Sequence, residues 1–209
     1  MKIKTTVKLQ EKIDAELSWR KKELINFASL VHNIEDPILC KMGIALLSAH
    51  FEGFIKKIAN YYVIFVSDQK KKASELKRSF SALYLSRNTE SQGAENMVTY
   101  ERCLEKILSD NNLNFSYTDE NPIIKTQGNP SSTLLRNIFK AIGLDFGTYE
   151  TKVNYIDTDL LSNRHKIVHG EKIDITKTEF DDTFKHILEL MEKIALQISD
   201  SAINHNYLQ

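Results

Sequence analysis

The sequence is poor in the residues that turn or cross-link a chain. It has seven glycines and three prolines among 209 residues, which is few for an all-β protein with its frequent turns. Its two cysteines, Cys40 and Cys103, are far apart and form neither a disulfide framework nor a Cys-x-x-Cys pair. The composition therefore favours a helical protein whose cysteines are thiols in a reducing compartment.

An excess of charge of either sign is also missing. The 28 Lys and Arg residues balance 28 Asp and Glu residues, for a formal net charge of zero. Nonspecific nucleic-acid binders usually carry a basic excess, because neutralising phosphates drives their affinity. Any contact with RNA must therefore use a local basic patch.

Long hydrophobic runs are absent as well. The N-terminus lacks the apolar core of a signal peptide. The longest apolar stretch, residues 58–66, has about half of the ~20 residues that a membrane helix needs. We therefore expect a cytoplasmic protein with no membrane segment, while its 42% hydrophobic residues are enough for a packed core.

Hydrophobic residues recur at helical spacing through most of the chain. The caps and breakers around these patterns give the helix ends. The predicted helices are residues 7–31, a second helix from Asp36-Pro37 through Phe65, residues 73–85, residues 94–108, a helix capped by Ser131 or Ser132 and ended by Gly143, a motif helix from Asp157 or Thr158 to Gly170, and a last helix opened by Thr176.

Residues 110–130 break this pattern, because they are polar and contain Pro122, Gly128 and Pro130. We expect an all-α bundle with an irregular insertion around these residues, in a single domain spanning residues 1–209. The fourth helix is expected to turn four apolar residues inward. These are Val98, Leu104, Ile107 and Leu108.

The richest chemistry lies in residues 161–170, where Arg164, His165 and His169 precede the helix breaker Gly170. RNA cleavage without a metal needs a fixed cation for the phosphate and a group that titrates near neutral pH. On a regular helix, Arg164 and His169 point about 140° apart. They meet at one phosphate only if the helix end distorts or if a second copy of the chain completes the site.

Two other interpretations of this segment stay open. Arg164 can form an ordinary salt bridge while His169 interacts with the helix dipole. His165 and His169, four residues apart, share a face that suits a metal ion. A third ligand at standard spacing is missing, because Glu171 lies beyond the helix end, so we expect no metal.

Residues 164–169, Arg-His-Lys-Ile-Val-His, resemble the Arg–polar–x₃–His motif of the HEPN superfamily. Residues 49–56 and 132–144 resemble segments of one branch, the RiboL-PSP-HEPN nucleases and the related Microcystis-type HEPN family. The chain departs from that branch at His165, where Asn commonly follows the Arg.

The resemblance implies a HEPN-like helical bundle that acts as a homodimeric endoribonuclease on single-stranded RNA, with no metal or other cofactor. Arg164 and His169 are the implied catalytic residues, and His165 occupies the polar position between them. Such proteins often serve as toxins or antiphage effectors, so an antitoxin protein is a further expected partner, and Tyr207 is a conceivable target of its modification. The alternative is a catalytically inactive HEPN-like scaffold that binds RNA or a protein.

The second helix supplies the supporting residues that we expect beside the motif. His50 and Glu52 are expected to reach the site, Glu52 as a carboxylate that orients Arg164; the alternative is a simple helical pair of Glu52 with Lys56. Among the basic runs, Lys56 alone is expected to contact RNA, because its helix is the one placed next to the motif.

Overall fold

The chain folds as a bundle of helices around one long central helix. The computed structural model describes residues 1–34, 36–89, 95–118, 120–126, 128 and 130–209, and only the backbone at residues 95 and 96. These residues include no β-strand, in agreement with the predicted all-α class. The α-helices are α1 (Thr6–Asn33), α2 (Pro37–Asp68), α3 (Arg78–Asn88), α4 (Glu95–Leu108), α5 (Ser132–Ala141), α6 (Asn163–Val168) and α7 (Lys177–Ile203).

The long helices begin at the caps that the sequence predicts. The Asp36 side chain accepts a hydrogen bond from the Ile38 N–H, and Pro37 takes the first helical position of α2. At the start of α7, the Thr176 side chain accepts from the Glu179 N–H while the Glu179 carboxylate accepts from the Thr176 N–H. Both caps satisfy N–H groups that have no partner within the helix, so both predicted starts are confirmed.

The centre of the bundle is α2, which packs with α1 and α7. Residues 58–66 are all buried, so α2 is enclosed on every side along this stretch. By length and composition α2 is apolar enough to cross a membrane, but half of its most apolar window is buried inside the bundle. A core helix has the same composition, so this property alone is a weak indication of a membrane span.

The stretch predicted as irregular, residues 110–130, forms no helix or strand at its described residues, and it is attached to α2; residues 119, 127 and 129 lie outside the described part. The Asn60 side chain is 1% exposed. Its amide group both accepts and donates hydrogen bonds to this stretch. Asn60 Oδ1 accepts from the N–H groups of Ile123 (2.8 Å) and Ile124 (2.9 Å), and Asn60 Nδ2 donates to the Ile124 carbonyl (3.0 Å). We call the described residues of 120–128 the strap, since they run across α2 as a fixed segment.

The third helix begins at Arg78 rather than at the predicted Ala73. The residues before it bond to distant parts of the chain instead of extending the helix. The Ala73 N–H donates to the Asn111 carbonyl, and the Lys77 N–H donates to the Tyr207 carbonyl. Local periodicity carries no information about such pairings, which explains the error.

The prediction for α4 is correct in its bounds and wrong in its orientation. Ile107 packs partly buried against the core, as expected. Val98, Leu104 and Leu108 are instead 59%, 46% and 81% exposed. The buried position is Cys103, because α4 packs on α3 with a different part of its surface.

The predicted start of the motif helix at Asp157 or Thr158 is also wrong. The backbone is already helical from Gly147, first as a 3₁₀-helix (Gly147–Lys152) and then as a π-helix (Tyr155–Ser162) that leads into α6. The Asp157 carboxylate does not cap its own helix, because it accepts hydrogen bonds from the N–H and the hydroxyl of Ser132, the first residue of α5. A partner distant in sequence therefore uses the side chain that looked like a cap.

Candidate active site

Arg164 lies in the first turn of α6, directly after the π-helix. Its side chain is half-buried, and it makes no hydrogen bond or ion pair with any described residue. A sheltered guanidinium without an internal counter-ion keeps its fork of donors available for an external anion. The predicted phosphate-binding cation therefore makes no ordinary salt bridge, its alternative interpretation, with the part of the chain that the structure describes.

His169 lies at the end of α6, where the chain turns away from the helix. The His169 N–H donates to the His165 carbonyl at 3.0 Å, which continues the α-helical pattern to this residue. Gly170 then adopts a φ of +71°, and the Glu171 N–H closes the turn on the Lys166 carbonyl at 2.9 Å. This is a Schellman-type helix end, so Gly170 ends the helix as predicted.

The two histidines of the motif share one face of α6. Their rings are parallel within 3°, with centroids 6.1 Å apart. His165 is half-buried and His169 is exposed. Among the described residues, no three His, Cys, Asp or Glu side chains are grouped to hold a metal ion.

The backbone of α6 is regular as far as His169, so it directs Arg164 and His169 to different sides of the helix. Because the α-helical bond from His169 to His165 is intact, the helix end has no distortion that would swing His169 toward Arg164. At about 100° per residue the two side chains leave the helix about 140° apart.

Glu52 does not orient Arg164, contrary to expectation. Glu52 Oε1 accepts hydrogen bonds from Thr126 Oγ1 at 2.6 Å and from the Gly128 N–H at 3.0 Å. The alternative pair of Glu52 with Lys56 is not formed either. The carboxylate instead fixes the strap to α2, a role that local sequence spacing does not reveal.

His50 faces α1 and is 6% exposed. Its ring lies 5.3 Å from the Trp19 ring, and its Nε2 is 3.5 Å from the Glu23 carboxylate. Burial lowers the pKa of His50, with a smaller opposing effect from Glu23 and a further lowering from Arg20. These contacts give His50 a place in the packing of α1 on α2, and the expectation that it joins the motif is not met.

Contact between α6 and α2 occurs near the start of α2. Ile167 of α6 packs with a small hydrophobic cluster that includes Cys40 and Ile44. His50 and Glu52 lie further along α2, which is why their side chains meet α1 and the strap instead. The prediction that α2 lies beside the motif helix is correct. The turns of α2 that contact α6 are those near Cys40 and Ile44, not those of His50 and Glu52.

Lys56 is half-buried on α2, and its ammonium group has no hydrogen bond or ion pair with a described residue. Some lysines of the other basic runs make ion pairs or hydrogen bonds within the chain. Lys71 pairs with Glu75 at 3.0 Å, and Lys77 donates to the Gly143 carbonyl at 2.9 Å. The choice of Lys56 as the RNA-facing cation therefore stays a prediction that the structure allows.

A clasp that the sequence did not reveal joins α5 to the π-helix. Asp157 accepts the Ser132 N–H at 2.7 Å and the Ser132 hydroxyl at 2.5 Å. Arg136 donates to the same hydroxyl at 3.2 Å and pairs with Glu150. The sequence signal for it is the pair of serines at the start of α5, of which Ser131 proves to be the cap.

A small acidic cavity of about 150 Å³ lies beside the segment that leads into α6. It is lined by Asp159, Asn163 and Glu179 among others. Burial, and then the Glu179 carboxylate, raise the pKa of Asp159. A cavity lined by these carboxylates repels anions such as phosphate.

Tyr207 is 1% exposed and packs edge-on against Phe65 at 5.8 Å. Burial raises the pKa of its phenol. A modifying enzyme has no access to this side chain in the folded chain, so Tyr207 is not a suitable target for an antitoxin.

The family model described as RiboL-PSP-HEPN matches residues 15–200, a range that runs from α1 through most of α7. No curated protein and no solved structure matches the chain.

Proposed function

Because this chain belongs to the RiboL-PSP-HEPN family, we propose that it is a metal-independent endoribonuclease that cleaves single-stranded RNA. The observation that carries the proposal is Arg164, a half-buried guanidinium with no partner among the described residues, on the same short helix as the exposed His169. Family members are often ribonucleases, and these two residue types match the needs of that chemistry.

In the proposed reaction, the ribose 2′-oxygen attacks the adjacent phosphorus and the bond from phosphorus to the 5′-oxygen breaks. A base takes the proton of the 2′-hydroxyl, and an acid gives a proton to the leaving 5′-oxygen. A histidine can serve in either role, since its side chain titrates near neutral pH. Arg164 stabilises the negative charge that gathers on the phosphoryl oxygens in the transition state. The products are a 2′,3′-cyclic phosphate and a 5′-hydroxyl.

One His169 cannot act on both sides of an in-line displacement. A twofold axis that brings His169 of two copies together supplies both groups and adds a second Arg164. The undistorted end of α6 supports this arrangement, because a single chain directs Arg164 and His169 away from each other. The proposed enzyme is therefore a homodimer with a composite site.

We propose further that the nuclease acts in the cytoplasm as a toxin or an antiphage effector. The support is the family resemblance alone. Expression in a bacterial host is expected to arrest growth, and Arg164→Ala is expected to restore it. Normal growth with intact, soluble wild-type protein would argue against a toxin, and a partner that relieves the arrest would identify the antitoxin.

The direct test is cleavage of an end-labelled single-stranded RNA in the presence of EDTA. The wild type is expected to leave 2′,3′-cyclic phosphate ends. His169→Ala should lower the rate by about 10²–10⁴-fold, as loss of an acid–base group does. Arg164→Lys should also be severely impaired, because an ammonium group cannot reproduce the guanidinium fork.

Lys172→Ala provides the control, since Lys172 is an exposed cation just beyond the motif and its loss should leave cleavage unchanged. Strict dependence on an added divalent metal would contradict the mechanism. It would instead favour a metal site formed by His165 and His169. RNA binding without any cleavage would favour the inactive scaffold.

A further inference from the structure

The exposed face of α4 carries an apolar stripe. Met97, Tyr100, Leu104 and Leu108 are 70%, 37%, 46% and 81% exposed. Their spacing of three or four residues places them along one side of the helix. With Glu101, Glu105 and Ser109 they line an open groove of about 610 Å³, which we call the α4 groove.

This stripe continues the surface by which α4 attaches to the bundle. Cys103 is 5% exposed and Ile107 packs against the core. At about 100° per residue, the apolar arc of α4 runs unbroken from Cys103 and Ile107 to the exposed Leu104 and Leu108. The bundle covers only part of this arc, and contiguous exposed apolar surface of this kind marks interaction sites.

The charged residues at the α4 groove indicate what kind of partner surface binds there. Its charged lining residues are Glu101 and Glu105, both on the edge of the stripe away from α3, and no Lys or Arg lines it. An apolar surface bordered by carboxylates complements an apolar stripe bordered by cations. We propose that the α4 groove binds an amphipathic helix of a second protein, with Leu-like residues along one stripe and Lys or Arg along its edge.

A second copy of this chain fits the groove poorly. Two α4 helices packed antiparallel about a twofold axis place the same edge of each helix together. Glu101 and Glu105 of both copies would then share one rim, and like charges at short range repel. The charge pattern therefore favours a basic partner over self-association.

The groove is separate from the candidate active site. It lies on α4, which packs on α3, whereas α6 packs on α2 and on the π-helix. The inference therefore does not rest on the proposed nuclease function, and variants in the groove can be assayed without changing Arg164 or His169.

The test uses the full chain and two synthetic helical peptides with the same Leu stripe, one bordered by Lys and one by Glu. Fluorescence anisotropy at about 0.15 M salt, where long-range charge effects are screened, should give at least about tenfold tighter binding of the Leu/Lys peptide. The exposed double substitution E101K/E105K should reverse this preference while leaving the buried side of α4 intact. Leu104→Ser with Leu108→Ser should weaken binding of both peptides.

Val7→Ser is the matched control, because Val7 is 67% exposed on α1 and should not affect either peptide. Equal affinity for both peptides, or no change with E101K/E105K, would overturn the proposal. So would a homodimer in sedimentation experiments that dissociates with the Leu104 and Leu108 substitutions, since a second copy would then cover the groove.

Discussion

Arg164 and His169 show how residues of one motif can have different surroundings. Arg164 is half-buried beside the π-helix, whereas His169 is exposed where the chain leaves α6. Shelter from water strengthens the interaction of a guanidinium with phosphate, and exposure lets a histidine exchange protons with solvent. Between them, His165 is half-buried and parallel to His169.

The role of His165 can be tested by substitution with the residue common in the family it resembles. If His165 positions the 2′-hydroxyl or phosphate by a neutral hydrogen bond, His165→Asn should retain most activity, because Asn has both a donor and an acceptor. We expect this result, with an unchanged pH–rate profile. A loss as large as in His169→Ala, with one limb of the profile missing and helicity unchanged by circular dichroism, would make His165 a proton-transfer residue.

His50 should make stability depend on pH. Its pKa in the folded chain is lowered from about 6.5, first by burial, so the unfolded chain binds the proton more readily. The free energy of unfolding should therefore be highest above about pH 6.5 and should fall as the pH drops below that value toward the lower folded pKa. Urea unfolding at pH 7 and pH 5 measures this change.

The matching variants are His50→Gln and, at an exposed position of α1, His32→Gln. The first should reduce the difference in stability between the two pH values, and the second should not reduce it, because the pair of His32 with Asp181 lies at the surface. An unchanged difference in His50→Gln would show that His50 is not the group responsible.

At the scale of elements, the π-helix is the unusual feature of the motif region. Such turns lack the regular bonding of an α-helix and are frequent at functional sites. The clasp between Asp157 and Ser132 joins this turn to α5, and Asn60 and Glu52 hold the strap that leads toward α5. The motif helix is therefore positioned by contacts outside the motif.

Breaking the clasp should change catalysis through position rather than chemistry. Asp157→Asn replaces one of the two accepting oxygens by an NH₂ group. This group cannot accept a hydrogen bond from the Ser132 hydroxyl. We expect a loss of about 1 kcal/mol in the free energy of unfolding, because a partly buried hydrogen bond to a carboxylate is replaced by a weaker one to a neutral amide. The RNA cleavage rate kcat should fall while KM changes little.

Ser132→Ala should reproduce the effect, and Asp14→Asn on the exposed side of α1 should change neither quantity. Full stability and activity in Asp157→Asn would mean that α6 keeps its place without the clasp. A change confined to stability would assign the clasp to the fold alone.

At the scale of the whole molecule, α1, α2 and α7 form a scaffold to which the site and the α4 groove are attached at different places. The large hydrophobic cluster draws on residues from Ile3 to Tyr207. The smaller cluster around Ile44 and Phe180 packs with Ile167 of α6. That residues 1–209 make one domain stays a prediction.

The composite site predicts a specific assembly. The wild type should sediment at about twice its 24.1 kDa monomer mass. Arg164→Ala and His169→Ala should each be nearly inactive alone. When the wild type is denatured and refolded with an excess of His169→Ala, the activity per wild-type chain should fall, because each heterodimer retains only one of the two His169 side chains that the mechanism needs. A monomer that cleaves RNA, or wild-type chains that keep their full activity in the mixture, would contradict the shared site.

Much of the fold was predictable from local patterns. Periodic apolar residues and side-chain caps act within a few positions of the chain, so the bounds of α1, α2, α4 and α7 follow from them. The starts of α3 and of the motif segment do not, since Lys77 and Asp157 bond to residues distant in sequence. The prediction of the buried side of α4 was wrong, because the sequence of an amphipathic helix does not show how much of its apolar surface the rest of the chain covers.

The sequence by itself determined the helical class and the place of Arg164, His165 and His169 on a helix that Gly170 ends, because spacing and backbone preferences are local properties. Only the tertiary structure decided which side chains meet. It engaged Glu52 with the strap and His50 with α1, and it left Arg164 without a counter-ion in the described part of the chain. Such pairings depend on how the helices pack and on which turn of α2 faces each neighbour. The pattern of a single segment does not contain this information, because the paired residues are far apart in the sequence.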